Sequence, residues 1–375
     1  MKIRDKIQIF IKKDKKKNHT RRYIYLCVNL FLLSLLYAVF PQAAPEAAAQ
    51  GLAHHTATDN DLSVTLVGNI DYSGYPDRTG NYDLLEGVSA IWQDSDIVVG
   101  SINTALVNEG QTYVATEQDH PQYVNETAAG SLKSSGITTL AVSNAGTSCC
   151  GVEGLINTMS AIENNGMDCV GIGRGKSSAM DCCSYKAAGK SVSIFSVADE
   201  TEADIINVGD SSSWYSASSL NGTEFYKKVA AASAESDLVV VYLYAGENKN
   251  IYKTDEQQEI SEDLIDAGAD IVVNTRQDSV QPIELYKNGI IIYGLGDLVS
   301  DSGFSYQKNS LVANYCIAED GTATLTLVPV RRTELTPGLA VNSVYLKSIQ
   351  NKVTKNLDQE SFSIDQNGCI IVNMS

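Results

Sequence analysis

The chain has 375 residues, enough for one large domain or two ordinary ones, and its 43% hydrophobic content is typical of a globular protein. Residues 1–22 hold ten of the 28 Lys/Arg and two of the 45 Asp/Glu, so the rest has 18 basic and 43 acidic residues and a net charge of −25. This acidic body excludes a nucleic-acid-binding role, which needs basic groups against the phosphate backbone.

The N-terminal 60 residues predict a membrane anchor. The basic segment 1–22 leads into residues 23–40, which are apolar, uncharged and long enough for a transmembrane helix. The basic flank predicts a single-pass protein of the cell membrane, with the body extracytoplasmic. The small-residue linker 41–60 leaves an alternative open, because the spacing of Ala47 and Ala49 suits cleavage near Ala49 and secretion.

From residue 61 onward, strand and helix patterns alternate, which predicts a layered α/β domain over residues 61–335 with residues 336–375 as an extension of the same domain. Continuous apolar runs favour strands that are buried on both faces. The predicted strands are Ser63–Val67, Asp96–Gly100, Ile137–Val142, Cys169–Ile172, Ser191–Val197, Leu238–Leu243, Ile271–Asn274, Ile290–Tyr293, Ser310–Ile317, Thr322–Pro329, Val344–Leu346 and Cys369–Val372. The predicted helices are Tyr82–Ser95, Thr127–Ser135, Val152–Gly166, Glu224–Ser236 and Asp255–Ala267.

Polar residues follow several of these strands, in the loops 68–71, 143–146, 243–246 and 274–278. A dinuclear metal centre at such loops needs several imidazoles and carboxylates. Between Leu62 and Ser375 there is one histidine, His120, and its polar surroundings indicate a surface loop. We therefore expect no metal site and no cofactor, and no Ser-His-Asp triad.

Seven cysteines follow the apolar segment, including the adjacent pairs Cys149-Cys150 and Cys182-Cys183. Buried thiols, one or two disulfides, and a metal site all remain open as interpretations. Because neither pair has the spacing in which two thiolates share one ion, the metal interpretation is the least favoured.

Three blocks of sequence carry a family resemblance: Gly268–Val273, Gln281–Glu284 and Tyr293–Val299. They are similar to the GADxVxGxHPHxxQPxE and YSLGNFV motifs of the bacterial capsule-synthesis protein CapA family, the poly-γ-glutamate synthesis type. The resemblance covers roughly residues 62–335. It implies a four-layer α/β/β/α sandwich of the metallophosphatase type, preceded by one N-terminal transmembrane helix, and a role in the synthesis or attachment of a capsule or envelope polymer.

The polar site residues of the family are mostly replaced in this chain, which implies loss of the ancestral metal-dependent activity. The replaced positions are Asn69, Asn103, Gly146, Cys149, Tyr244, Arg276 and Asp278. Among them, Arg276 is the strongest indication of this loss, since a permanently charged guanidinium repels a metal cation.

Three functions remain open. In the first, the cleft binds an anionic or polar ligand or the polymer-synthesis machinery, through the candidate ligand-binding residues Asn69, Asn103, Asn144, Tyr244, Arg276 and Asp297. In the second, the protein is a hydrolase with a rewired carboxylate site, with Asp71 and Asp278 as candidate catalytic residues and a divalent metal as an optional cofactor. In the third, it is a structural surface protein.

Overall fold

The computed structural model describes residues 23–32, 60–108, 123–199, 214–216, 223–246 and 252–374. The chain divides into two compact units, Met1–Ala43 and Ala44–Ser375. In the first unit, residues 23–32 form helix α1. Among the described residues, no helix combines the length and apolar character needed to cross a membrane. Residues 33–40 of the expected transmembrane segment, and His120, lie outside the described residues.

The second unit alternates helices and strands along most of its length. Its helices are α2 (Tyr75–Thr79), α3 (Glu86–Ser89), α4 (Ala128–Ser134), α5 (Ala145–Ser148), α6 (Gly151–Asn164), α7 (Lys176–Ala179), α8 (Glu224–Ser233), α9 (Asp255–Asp266) and α10 (Ser343–Val353). Its strands are β1 (Leu62–Ile70), β2 (Ile97–Ile102), β3 (Ala105–Val107), β4 (Tyr123–Asn125), β5 (Thr139–Ala141), β6 (Asp168–Val170), β7 (Ile172–Arg174), β8 (Cys183–Ala187), β9 (Lys190–Ala198), β10 (Trp214–Ser216), β11 (Leu238–Tyr244), β12 (Ile271–Asn274), β13 (Ile283–Tyr286), β14 (Gly289–Ile292), β15 (Asp297–Val299), β16 (Asn309–Ile317), β17 (Ala323–Thr333), β18 (Thr336–Leu339), β19 (Phe362–Ile364) and β20 (Ile370–Met374).

Two large mixed sheets organise these strands. The first has the order β19-β20-β17-β16-β1-β2-β5-β6, with β15 beside β1 and β18 beside β17. The second has the order β13-β14-β12-β11-β9-β8. Strands β1, β2, β5 and β6 are mutually parallel, as are β9, β11, β12 and β14. The mixed α/β class predicted from the alternating pattern is confirmed.

The hydrophobic clusters show how the sheets and helices are layered. One cluster lies between the sheets and joins Val64 and Val99 of the first sheet to Val240 and Val273 of the second. A second cluster packs α4 and α6 on the outer face of the first sheet, and a third packs α8 and α9 on the outer face of the second. The layers therefore run helix, sheet, sheet, helix, and β11 is buried along its whole length because both of its faces are covered.

Three predicted elements differ most from the observed ones. Val344–Leu346 is the first part of helix α10 and not a strand, because Asn342 caps the helix and Ile349 and Val353 bury one helical face. The helix predicted over Tyr82–Ser95 is reduced to Glu86–Ser89 and is followed by turns with i to i+3 hydrogen bonds.

The predicted strand Cys169–Ile172 is divided into β6 and β7. Gly171 has a φ of 99° at the division, a conformation that extended strand residues do not adopt.

Candidate functional site

The candidate site lies where parallel strands of both sheets end. Strands β1, β2, β5, β11 and β12 deliver their C-terminal residues there, and β15 pairs with the last residues of β1. The carboxyl ends of parallel strands are the usual position for sites in layered α/β proteins.

Asn69 links the two sheets at the centre of this edge. Its Nδ2 donates to the carbonyl oxygen of Thr275 at 2.5 Å and faces Asp297 Oδ1 at 3.4 Å. Asn69 is 3% exposed, and its Oδ1 has no hydrogen-bond partner among the described residues. The Thr275 carbonyl oxygen can only accept a hydrogen bond, so the Asn69 Nδ2 atom has to face it. The Asn69 Oδ1 atom is therefore left as a buried acceptor.

Asp297 is a buried carboxyl group held beside Asn69 by the parallel pairing of β1 and β15. Burial raises the pKa of Asp297 well above its ordinary value, and the negative charge of Asp278 raises it further. The positive charge of Arg332 opposes this shift, and Asp71 adds to it. The carboxyl group therefore favours its neutral form more strongly than an exposed aspartate does.

Arg332 was not anticipated from the sequence. It is 1% exposed, and its guanidinium donates to the carbonyl oxygens of Asp297 at 3.3 Å, Gln307 at 2.7 Å, and Ser300. Its position in β17 could have indicated its burial, because Arg332 lies on the same side of the strand as the buried Val328 and Val330. Arg332 thus fixes the backbone that carries Asp297.

The candidate catalytic carboxylates both make structural hydrogen bonds. Asp71 Oδ1 accepts from the Ser73 amide and from Thr104 Oγ1, each at 2.9 Å. Burial raises the pKa of Asp71, although these hydrogen bonds act in the opposite direction. Asp278 Oδ2 accepts from Gln307 Nε2 at 2.9 Å.

Arg276 and Tyr244 lie together, as the cleft hypothesis requires. The Arg276 guanidinium carbon is 5.0 Å from the centre of the Tyr244 ring, which is within the range of a cation–π contact. The following residue, Gln277, exchanges hydrogen bonds with the buried Gln257, at 2.9 and 3.3 Å. This glutamine pair anchors the Arg276 loop to helix α9.

Asn103 and Asn144 have structural roles at this edge. Asn144 caps α5 by accepting from the Thr147 amide at 2.9 Å, and its Nδ2 donates to the Ile102 carbonyl at 2.8 Å. Asn103 Oδ1 accepts from the Gly146 amide at 3.2 Å. The structure therefore brings Asn69, Asp297, Asp71, Asp278, Arg276 and Tyr244 to the cleft. It uses the Asn144 side chain and the Asn103 Oδ1 atom in hydrogen bonds within the scaffold.

Comparison with known proteins identifies the family. The family model described as "Bacterial capsule synthesis protein PGA_cap" matches residues 49–302. The chain belongs to this family. It is 27% identical to the capsule biosynthesis protein CapA of Bacillus anthracis, over 94% of this chain and 86% of the relative. It is 25% identical to the PGA biosynthesis protein CapA of Bacillus subtilis strain 168, over 94% of this chain and 91% of the relative.

Among solved structures, a Staphylococcus aureus protein provisionally described as a 5'-nucleotidase, in complex with alpha-ketoglutarate, is similar at 9% sequence identity and a TM-score of 0.47. The match covers 82% of this chain and 56% of that one, so the chain spans little more than half of its length. This likeness is too distant to assign a function.

The residues present in this PGA_cap family chain do not fit a dinuclear metal centre. Asn69 directs an N–H, not an oxygen, toward Asp297 and Thr275. A β-carbon on Gly146 would be 2.1 Å from the Asn103 carbonyl oxygen, so this backbone has no room for a ligand side chain there. Arg276 adds a cation at the same edge. Among the described residues, no group of three His, Cys, Asp or Glu is arranged to hold a metal ion.

Cysteines lie close together at two places in the fold. Cys149 and Cys150 are buried with their Sγ atoms 3.6 Å apart, and the contact with Cys149 lowers the pKa of Cys150. Burial raises the pKa of Cys183 to about 12, and Cys183 lies 3.8 Å from the Cys169 carbonyl. No disulfide joins cysteines in the described part of the chain.

Proposed function

We propose that this chain is a membrane-anchored, extracytoplasmic member of the PGA_cap family that binds an acidic envelope polymer in the cleft, without the ancestral metal-dependent activity. The arrangement of Arg276 over Tyr244 carries the proposal. A guanidinium is the side-chain group best suited to bidentate contact with a carboxylate, and a ring and an anchored loop hold this one at the cleft.

Asn69 marks a second polar position near this contact, and a ligand reaches its buried Oδ1 only if the cleft opens. Its buried Oδ1 needs an N–H or O–H donor, and it lies beside the residue that precedes Arg276. A polymer that repeats amide N–H groups and free carboxylates offers both partners within one unit. Poly-γ-glutamate, the PGA type of polymer named for the Bacillus subtilis relative, has this chemistry.

The membrane topology and the fold type belong to the same proposal. Residues 1–22 are basic and residues 23–40 are uncharged, which is the pattern of an anchor with a cytoplasmic N-terminus. The helix–sheet–sheet–helix layers and the loop positions are those expected of a metallophosphatase-type sandwich. The partners would then be the envelope polymer or its synthesis machinery, and the membrane.

Replacement of Arg276 by alanine tests the cleft. A hydrogen bond to a charged group contributes about 1.5–3 kcal/mol, so we expect Arg276→Ala to weaken binding of a γ-linked glutamate trimer about ten- to a hundredfold. Calorimetry with the full-length chain in detergent measures the affinity. Lys227→Ala, which removes an exposed cation on α8, is the matched control and should leave the affinity unchanged. Equal affinities for Arg276→Ala and the unmodified chain would contradict cleft binding.

A hydrolase with a rewired carboxylate site is the second candidate function. The observation that favours it is that burial, together with the negative charges of Asp278 and Asp71, raises the pKa of Asp297, as in sites that use a carboxylic acid as proton donor. Stoichiometric retention of Mn²⁺, Zn²⁺, Fe²⁺ or Mg²⁺ by the purified chain, with phosphoester hydrolysis that Asp297→Asn abolishes, would establish this candidate. Lack of both would leave the binding function.

A further inference from the structure

An exposed aromatic surface lies outside the cleft. Phe304 and Tyr306 are 67% and 43% exposed, and their rings stack with centres 5.9 Å apart. On helix α10, Val344 and Tyr345 are 61% and 38% exposed. Large side chains with this much exposure are rarely grouped on a protein surface unless the group binds something.

Arg331 joins the two parts of this surface. Its guanidinium lies 3.7 Å from the centre of the Tyr345 ring and donates to the Ser305 carbonyl at 3.0 Å and to Ser305 Oγ at 3.1 Å. Because Ser305 lies between Phe304 and Tyr306, the contacts form one continuous surface. We call Phe304, Tyr306, Arg331, Val344 and Tyr345 the aromatic surface.

The charge of this region is opposite to that of the body. Residues 335–357 contain Lys347, Lys352 and Lys355 and no Asp or Glu, whereas the chain beyond residue 22 has a net charge of −25. Lys347 is exposed and lies one helical turn from Val344. Cations therefore adjoin exposed rings here, and the acidic residues that flank the segments of this surface in sequence are Asp301, Glu334 and Asp358.

The aromatic surface also adjoins the cleft. Gln307, the residue after Tyr306, donates to Asp278 at 2.9 Å, and its carbonyl accepts from the buried Arg332 at 2.7 Å. The segment 304–307 thus has two exposed rings on the outside and a cleft contact at its end. A chain-like ligand that leaves the cleft at this side meets the rings next.

An extended strand fits this surface better than a lipid bilayer does. A bilayer with anionic headgroups contacts a broad face of the protein and would meet the repulsion of the acidic body. A single polymer strand responds mainly to charges within about 8–10 Å, the screening distance at physiological salt. The rings and Arg331 of the aromatic surface, with the adjoining Lys347, are the groups that such a strand would contact directly.

We infer that the aromatic surface is a second docking site for the acidic polymer, on which methylene and amide groups of a polyglutamate-type strand pack on Phe304, Tyr306 and Tyr345 while Arg331 and Lys347 meet its carboxylates. This inference rests on the proposed function of the cleft and extends it to a polymer longer than the cleft holds. Two linked sites give a long chain a higher affinity than either site alone.

The test compares polymer lengths on the full-length chain in detergent. The double variant Phe304→Ser/Tyr345→Ser should bind long poly-γ-glutamate about tenfold more weakly, since each aromatic contact contributes modestly, and the glutamate trimer with unchanged affinity. Arg276→Ala should weaken both ligands, which separates failure of the cleft from failure of the surface. Tyr123→Ser, at a ring 46% exposed on β4, is the matched control. Circular dichroism checks that each variant is folded.

Other outcomes would overturn the inference. Unchanged affinity for the long polymer, or an equal loss for the trimer, would mean that the aromatic surface is not a second site. An equal loss of affinity for polyphosphate would show that the surface recognises negative charge alone. That result would contradict recognition of a polyamide strand. Binding to anionic phosphatidylglycerol vesicles that the double variant abolishes, without polymer binding, would replace the polymer by a lipid surface.

Discussion

Gly146 shows how one residue at the cleft is fixed by its backbone neighbour. A β-carbon there would lie 2.1 Å from the Asn103 carbonyl oxygen. Alanine normally stabilises a helix relative to glycine, but this close approach reverses the sign. We expect Gly146→Ala to lower the free energy of unfolding by about 1–3 kcal/mol, the usual cost of overpacking. Urea denaturation followed by circular dichroism measures the change.

Gly130 provides the matched control for this substitution. It lies in helix α4, and a β-carbon there would meet its nearest neighbour at an ordinary 3.6 Å. Gly130→Ala should therefore be neutral or stabilising by up to about 1 kcal/mol. If Gly146→Ala were as stable as the unmodified chain, the Asn103 backbone would be free to move. The position would then have room for a ligand side chain after all.

At the residue scale, the positions of the clustered polar residues could be predicted from the sequence, whereas the role of each residue could not. Strand ends placed the loops of Asn69 and Arg276 at the same edge and the family resemblance added Asp297, and the structure brings the three residues there. The strand pattern did not predict that the Asn144 side chain caps helix α5. Arg332 escaped notice because strand alternation, which places it inward, conflicts with the usual exposure of arginine.

At the element scale, an irregularity in β1 is stabilised by the opposite sheet. The pairing of β1 with β2 shifts between Leu66 and Asn69, and the Tyr242 hydroxyl of β11 donates toward the carbonyls of Val99 at 2.8 Å and Val67 at 3.3 Å. Tyr242→Phe would leave both buried carbonyls without this donor. We expect a loss of about 1–2 kcal/mol in the free energy of unfolding, measured by urea denaturation.

Tyr123→Phe is the control, since the Tyr123 ring is 46% exposed and water replaces its hydroxyl contacts. Its unfolding free energy should stay within about 0.5 kcal/mol of the unmodified value. A Tyr242→Phe variant as stable as this control would show that the hydroxyl contributes nothing across the two sheets. The shift in β1 would then be maintained by β15 and β16 alone.

Elements with one clear period were predictable, and those decided by distant contacts were not. The runs that became β11 and β12 are apolar except for Asn274 at the end of β12, which fits burial between two layers. In Val344–Leu346 the short apolar run resembled a strand, whereas Ile349 and Val353 anchor it as a helix one and two turns later. Local composition was ambiguous there, and packing against the sheet decided the outcome.

At the scale of the whole molecule, net charge and local charge oppose each other in polymer binding. The body has a net charge of −25, whereas the proposed contacts, Arg276 and Lys347, act at short range. The Debye length falls from about 30 Å at 10 mM salt to about 8 Å at 150 mM, so added salt removes long-range repulsion before it weakens direct contacts.

We therefore expect the association rate constant for long poly-γ-glutamate to rise as salt increases over this range, and to fall again at about 1 M salt, where the Debye length is about 3 Å. Stopped-flow fluorescence with labelled polymer measures this rate. Lys347→Glu should slow association most at low salt, and Lys227→Glu, on the outer face of α8, should do so less. A rate that falls steadily from the lowest salt would mean that attraction at the binding face already exceeds the repulsion of the body. The docking surface would then dominate the approach of the polymer as well as its final contacts.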